Sequence, residues 1–339
     1  MDSERPFALA VPSYERLGIA GPYFGDRVWK ALIAHSREFA YVPVEVSPFP
    51  DGSQKVRVGE NVRGKTVYVV HSLYAAPSDH VMIGGQIIDA LKRSDSAEVY
   101  LIDLYNPYFR QDSRWGREPV TARLVGDWYD RAGADGIFTA DPHSKQLVGF
   151  SRKLEGLPMS VVIAAYIKKS GRYDLGRAVV AAPDEGGFKR AEEFANALGL
   201  PLIAVHKQRG GDGVAVKAVI GDPDGKDVFI RDDIIGTGAT IVESSRALKE
   251  RGARDVYACT THLGLYGDCL DSLAAEGIPV IGTNTAPVSI PDVHRARVDL
   301  IDISPLVAEI IVRKSKGQSI SRYFEEGVEQ VVGISGDGQ

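Results

Sequence analysis

The chain has 339 residues, 44% hydrophobic and 25% charged, an ordinary balance for a folded globular protein. A formal net charge of −5 without any Lys/Arg block argues against nucleic acid as a partner, and two cysteines are too few for a disulfide scaffold or a four-cysteine zinc site. No run of about 18 apolar residues occurs, and the opening MDSERPFALA lacks the basic and apolar stretches of a secretory signal, so no membrane partner and a cytoplasmic location are expected.

At roughly 150 residues per domain the length suggests two domains. The stretch VPVEVSPFPDGSQKVRV (42–58) reads as two strands around a Pro-Asp-Gly turn. Short runs rich in Val and Ile then alternate with longer amphipathic ones. Strands are predicted over 97–105, 135–141, 177–184, 200–207, 227–233, 254–261 and 278–284. Helices are predicted over 120–134, 186–199 and 238–253, each closing near a glycine, and over 305–317. This alternation implies an α/β fold with mostly parallel sheets flanked by helices. FSRKLEGL, ending at 157, is the best domain boundary, and Cys259 and Cys269 read as buried thiols.

One segment carries chemistry by itself. The strand DVFI runs into Asp232 and Asp233, then into Gly236, Thr237, Gly238, Ala239 and Thr240, and then into a helix. Small residues let backbone N–H groups approach an anion, the threonine hydroxyls donate, and the helix start adds positive partial charge. Two carboxylates directly before it would repel a phosphate but suit sugar hydroxyls or Mg²⁺. A diol and a phosphate held in one loop point to a ligand of the ribose 5-phosphate type. No Walker A, dinucleotide fingerprint or H-E-x-x-H motif competes with this reading.

The segment 232–240 resembles the phosphoribosyl-diphosphate motif of type I phosphoribosyltransferases and of ribose-phosphate diphosphokinases. FPDG (49–52), NPYFRQD (106–112), GREPVTARL (116–124), DPHSKQLVGF (141–150), PDEGG (183–187), HKQR (206–209) and QSISRYF (318–324) resemble the diphosphokinases in type and order. The resemblance implies two tandem phosphoribosyltransferase-like domains: 1–157 on the ATP side, 158–304 on the ribose 5-phosphate side, and a C-terminal helix and tail, 305–339, packing on the first. It implies transfer of a diphosphoryl group from ATP to ribose 5-phosphate with Mg²⁺, in a homo-oligomer, dimer or hexamer.

The same resemblance assigns roles. Lys207 and Arg209, on a mobile loop, would neutralise the transferring group. Arg110, Gln111 and Asp112 would contact ATP. His143 would be catalytic and hold metal at the nucleotide, and Asp184 would hold the metal beside the sugar. Phe49 and Asp51 would hold adenine, from a neighbouring subunit. Asp232 and Asp233 would take the ribose hydroxyls and 236–240 the 5-phosphate. The chain departs from the family pattern at Gly236, where an acid is usual, and at Arg231, where an apolar residue is usual. It also departs at Ser53 in place of Glu, at Pro142 in place of Leu, in a shortened SRWG after RQD, and in the segment after Phe150. These departures keep three alternatives open: a diverged member with another sugar phosphate or nucleotide, a phosphoribosyltransferase, and a non-catalytic regulatory subunit. His71, His80, His206 and His262 receive no role and are expected to be mostly structural.

Overall fold

The computed structural model describes residues 6–18, 24–71, 76–210, 213–326 and 328. The chain divides into two compact units. One comprises Met1–Leu157 with Ser304–Arg322, the other Pro158–Ile303 with Tyr323–Gln339.

Each unit is built on a seven-stranded sheet. In the first the strands are β1 (Phe7–Ser13), β2 (Phe39–Pro48), β3 (Gln54–Val58), β4 (Thr66–Val70), β5 (Glu98–Ile102), β6 (Gly136–Ala140) and β7 (Leu154–Leu157), in the order β3-β2-β1-β4-β5-β6-β7. In the second they are β8 (Ala178–Ala182), β9 (Leu202–Gly210), β10 (Gly213–Ile220), β11 (Asp227–Ile235), β12 (Val256–Leu263), β13 (Val280–Thr283) and β14 (Val298–Ile301), in the order β10-β9-β8-β11-β12-β13-β14. The two orders are the same. In each unit one edge strand, β3 or β10, is antiparallel and the rest of the sheet is parallel.

The helices are α1 (Phe24–His35), α2 (Pro77–Arg93), α3 (Thr121–Ala132), α4 (Met159–Ser170), α5 (Phe188–Leu198), α6 (Ala239–Glu250), α7 (Cys269–Ala275), α8 (Asp292–Arg295), α9 (Ser304–Ser315) and α10 (Ile320–Glu326). Helices cover both faces of a parallel sheet, so its central strands are apolar throughout. All five residues of β6 and of β8 are buried. The edge strand β3 instead alternates between half-buried and exposed positions. Two cores result, one around Val67, Val69, Ile87 and Leu101, the other around Val179, Val228, Ile230 and Val280. The predicted glycine stops hold: α3 and α5 end at Gly133 and Gly199 with φ of 105° and 75°, values that favour glycine.

Some elements were not predicted. β1, β4, β7, β10 and β14 are short or lie beside charged flanks, and α2 carries Gly84 and Gly85 in its interior, normally a cost of about 1 kcal/mol each. Their reason is close packing: a Cβ at Gly85 would stand 2.1 Å from Trp128 Nε1, and one at Gly84 3.0 Å from the Tyr129 ring.

Candidate active site

In an open parallel sheet the ligand crevice lies beyond the carboxyl ends of the strands, where the strand order reverses. In the second unit that reversal falls between β8 and β11. Residues 183–187 leave β8 and 236–238 leave β11, so the fold gathers the predicted sugar-phosphate residues at one point.

Asp232 and Asp233 lie near the end of β11, 19% and 7% exposed. Each is anchored by the next amide: Asp233 N donates to Asp232 Oδ1 at 2.8 Å and Ile234 N to Asp233 Oδ1 at 3.0 Å. Arg190, in the first turn of α5, faces both. Its Nη1 lies 4.0 Å from Asp232 Oδ1 and its Nη2 3.6 Å from Asp233 Oδ2. Burial, then the charge of Asp233 and its hydrogen bond, push the Asp232 carboxyl up to about 7, with Asp184 adding to the rise and Arg190 opposing it. The cluster is therefore rich in anions and short of cations. Asp184 Oδ1 also accepts from Gly187 N at 2.8 Å, so the residue shapes the entry to α5 as well as facing Asp232.

Below these carboxylates the cradle opens α6. Gly238 is the cap, with φ 80°, and a Cβ there would stand 3.0 Å from Cys269 Sγ. Only glycine meets both demands. Thr237 and Ala239 are exposed and Thr240 is half-buried, leaving the helix start open to an anion.

Two departures in the sequence have local causes. A Cβ on Gly236 would stand 3.3 Å from the Tyr266 ring, whose own backbone N donates to Gly236 O at 2.9 Å. An aromatic ring thus covers the place of the usual acid. Arg231 is fully buried; its guanidinium donates to the carbonyl of Asp232 and, at 2.8 Å, to Thr261 Oγ1, and lies 5.8 Å from the Phe194 ring centre. It braces the backbone under the carboxylates.

In the first unit, Arg110 closes the 3₁₀ turn Pro107–Arg110. Gln111 accepts from Thr121 Oγ1 at 2.5 Å, and the Asp112 carbonyl accepts from Gln146 Nε2 at 2.8 Å. The RQD segment and the segment after His143 are thereby stitched together. Asp112 Oδ2 and Ser144 Oγ are buried with no hydrogen-bond partner, which leaves one acceptor and one hydroxyl unspent at the junction. Asp141, two residues before His143, takes φ 40°, a strained value of the kind that collects at functional sites. His143 itself is exposed.

Phe49 and Asp51 occupy the β2–β3 hairpin, away from that junction. Phe49 is half exposed. Ser53 donates to Asp51 Oδ1 through both N (3.0 Å) and Oγ (2.7 Å), and the hydroxyl contact chiefly holds the carboxyl below its ordinary range. Ser53 therefore rigidifies Asp51. Lys207 and Arg209 lie on β9, which runs through Gly210 and pairs with β10, so the backbone is extended strand where a loop was predicted; their side chains fall outside the described residues. Arg190 and Tyr266 were missed by the sequence reading. Arg190 carried one signal: a cation in the first turn opposes the helix dipole unless carboxylates face it.

A family model for the N-terminal domain of ribose phosphate pyrophosphokinase matches residues 23–133, one for the phosphoribosyl transferase domain matches 157–268, and one for the phosphoribosyl synthetase-associated domain matches 213–325. A ribose-phosphate pyrophosphokinase from Helicobacter hepaticus is 33% identical over 311 residues, 91% of this chain and 97% of that one. One from Aquifex aeolicus is 36% identical over 310 residues, 90% and 94% of the two chains. The crystal structure of phosphoribosylpyrophosphate synthetase from Mycobacterium smegmatis matches with a TM-score of 0.79 at 33% identity, covering 91% of this chain and 99% of that one.

Proposed function

Since the chain belongs to the ribose-phosphate pyrophosphokinase family, we propose that it transfers the diphosphoryl group of ATP to ribose 5-phosphate, giving phosphoribosyl diphosphate and AMP for nucleotide biosynthesis. The observation that carries this reading is the switch-point cluster of Asp184, Asp232, Asp233 and Arg190 immediately above an open helix start. Asp232 and Asp233 take the ribose hydroxyls, and residues 236–240 take the 5-phosphate through backbone amides and threonine hydroxyls. Arg110, Gln111 and Asp112 bind ATP, with His143 beside its phosphates. Phe49 and Asp51 meet adenine from a neighbouring copy in a homo-oligomer, dimeric or hexameric; the exposed hairpin, braced from within, suits that use.

The reaction needs alignment of the anomeric hydroxyl with the β-phosphorus and neutralisation of the charge on the transferring group. Lys207 and Arg209 supply cations for it. Among the described residues no three His, Cys, Asp or Glu side chains converge as a cage for a metal. Mg²⁺ uses one or two carboxylates and completes its shell with water and substrate phosphate oxygens, so the donor set fits: Asp184 holds it beside the sugar and His143 lies beside the nucleotide. When bound, it neutralises phosphate charge and orients the diphosphate. Asp232 meets diol or cation in its ionised form, and Arg190 keeps that form within reach near neutrality. No helix among the described residues is long and apolar enough to cross a membrane, and the reading puts the enzyme in the cytoplasm.

A coupled assay tests the proposal. Purified protein with ATP, Mg²⁺ and ribose 5-phosphate is expected to yield AMP and phosphoribosyl diphosphate in equal amounts. No AMP would overturn it. AMP formed only with another sugar phosphate would redirect it to a diverged substrate.

A further inference from the structure

The first unit repeats the strand order of the second but uses its switch point differently. Beyond the carboxyl ends of β1, β4 and β5, three neighbouring strands, a chain of buried polar side chains takes the space. Tyr14 follows β1, His71 follows β4, Asp103 follows β5, and His80 comes from α2. Tyr14, His71, His80, Asp103 and Asn106 are all 2% exposed or less.

The bonds run from Tyr14 to the turn at Asn106, with the Tyr129 hydroxyl joining at Asp103 Oδ2 and Asn106 Nδ2, 3.4 Å from each. His71 Nε2 lies 2.8 Å from the carbonyl oxygen of His80, so it carries the ring proton. Its Nδ1 must then accept from the Tyr14 hydroxyl, at 2.7 Å. The two imidazoles stack with centres 4.1 Å apart. His80 Nε2 is 2.8 Å from Asp103 Oδ1, and Asp103 Oδ2 accepts from Asn106 Nδ2 at 2.8 Å. Asn106 Oδ1 accepts from Tyr108 N at 3.1 Å and so caps the turn Pro107–Arg110. Burial and the neighbouring His80 push His71 down to about 3, so it is neutral. Burial acts to raise Asp103, but His80, His71 and Asn106 outweigh it and hold the carboxyl below its ordinary range. Gly84 lets α2 approach: a Cβ there would stand 3.3 Å from His71 and 3.0 Å from Tyr129.

Buried polar side chains of this number cost stability unless each is satisfied, and apolar residues of equal volume often serve a core as well or better. What they supply is direction. We infer that Tyr14, His71, His80, Asp103 and Asn106 form a positioning network that fixes the turn leading into Arg110, Gln111 and Asp112 and so sets the affinity for the nucleotide. This rests on the reading that residues 110–112 bind ATP. The network touches no substrate; it acts through the turn.

Steady-state kinetics on the full chain test it with KM for ATP and KM for ribose 5-phosphate measured separately. Asp103→Asn and Asn106→Asp each break the carboxylate–amide bond, and a displacement of the turn is expected to raise the ATP KM about tenfold or more while the ribose 5-phosphate KM stays within about twofold. The double swap Asp103→Asn/Asn106→Asp restores a carboxylate facing an amide and is expected to recover most of the loss. A parallel change in both KM values, no change in either, or a swap no better than the singles would overturn the network. If the singles do not fold, Tyr14→Phe decides: a rise of about threefold in the ATP KM alone supports the chain of bonds, and an unchanged value overturns it. Arg110→Ala separates the two ideas. If it leaves the ATP KM unchanged the nucleotide reading fails; if it raises it while the network variants do not, only the network fails.

Discussion

Arg190→Met keeps the aliphatic bulk in the first turn of α5 and removes the cation facing Asp232 and Asp233. The lost nitrogens lie 4.0 and 3.6 Å from the two carboxylates, in side chains no more than 19% exposed. At such distances a charge pair attracts by about 4 kcal/mol in partly screened surroundings, and breaking a buried pair costs ~3–5 kcal/mol because a charge is left uncompensated. The cost depends on pH. The Asp232 carboxyl is raised above its unfolded value of 3.8 to about 7, so its ionisation weakens the fold as pH climbs through that window. Without Arg190 the upper limit moves higher still. At about pH 6 Asp232 is neutral and only the Asp233 contact is lost; at about pH 8.5 both are lost. We expect a destabilisation of about 3 kcal/mol at the higher pH and about half of that at the lower. Urea unfolding followed by circular dichroism at the two pH values measures it. Equal losses at both, or a loss under about 0.5 kcal/mol at the higher pH, would refute the idea that Arg190 is the counter-charge of this pair.

Further outcomes follow from the same site. Binding of ribose 5-phosphate or Mg²⁺ to ionised Asp232 should release about half a proton per site near neutrality, visible as buffer-dependent heat in titration calorimetry; heats independent of the buffer would remove Asp232 from the contact. Gly238→Ala places a Cβ against Cys269 at φ 80° and should cost about 1–2 kcal/mol of stability and weaken ribose 5-phosphate binding, read by thermal melts and calorimetry. Lys207→Ala should lower kcat by about 10²-fold or more with an unchanged far-ultraviolet spectrum; unchanged turnover would take that lysine out of the reaction.

The parts legible in the sequence are those with a local signature. The alternation around β8, β11 and β12 shows in apolar runs because both faces of those strands are covered. The cradle shows because phosphate binding needs glycine and threonine at fixed spacing after a strand. What stayed hidden depends on residues far apart in the chain. Arg190 meets Asp232 only when α5 folds back beside β11. Tyr266 explains Gly236 across a turn, and Arg231 looks misplaced in a strand until Thr261 and Phe194 are beside it. His71 and His80 are nine positions apart, on a strand end and a helix, and share no spacing rule. β4 and β7 match the predicted β8 and β13 in length, and it is pairing with their neighbours that shows them to be strands.

The first unit borrows Ser304–Arg322 from the far end of the chain, and α9 packs there against α1. α1, in which Phe24, Val28 and Leu32 are buried, packs against a helix that buries Leu306, Val307, Ile310 and Ile311. During synthesis, therefore, the unit begun first is completed only after every strand of the second has been made. A ribosome must finish the second sheet before the first is closed, and in the meantime α1 is an exposed sticky surface of the kind chaperones handle. A stop codon near 303 would leave every strand of the second sheet in place and injure the first unit, whose own strands lie farthest from it in the chain.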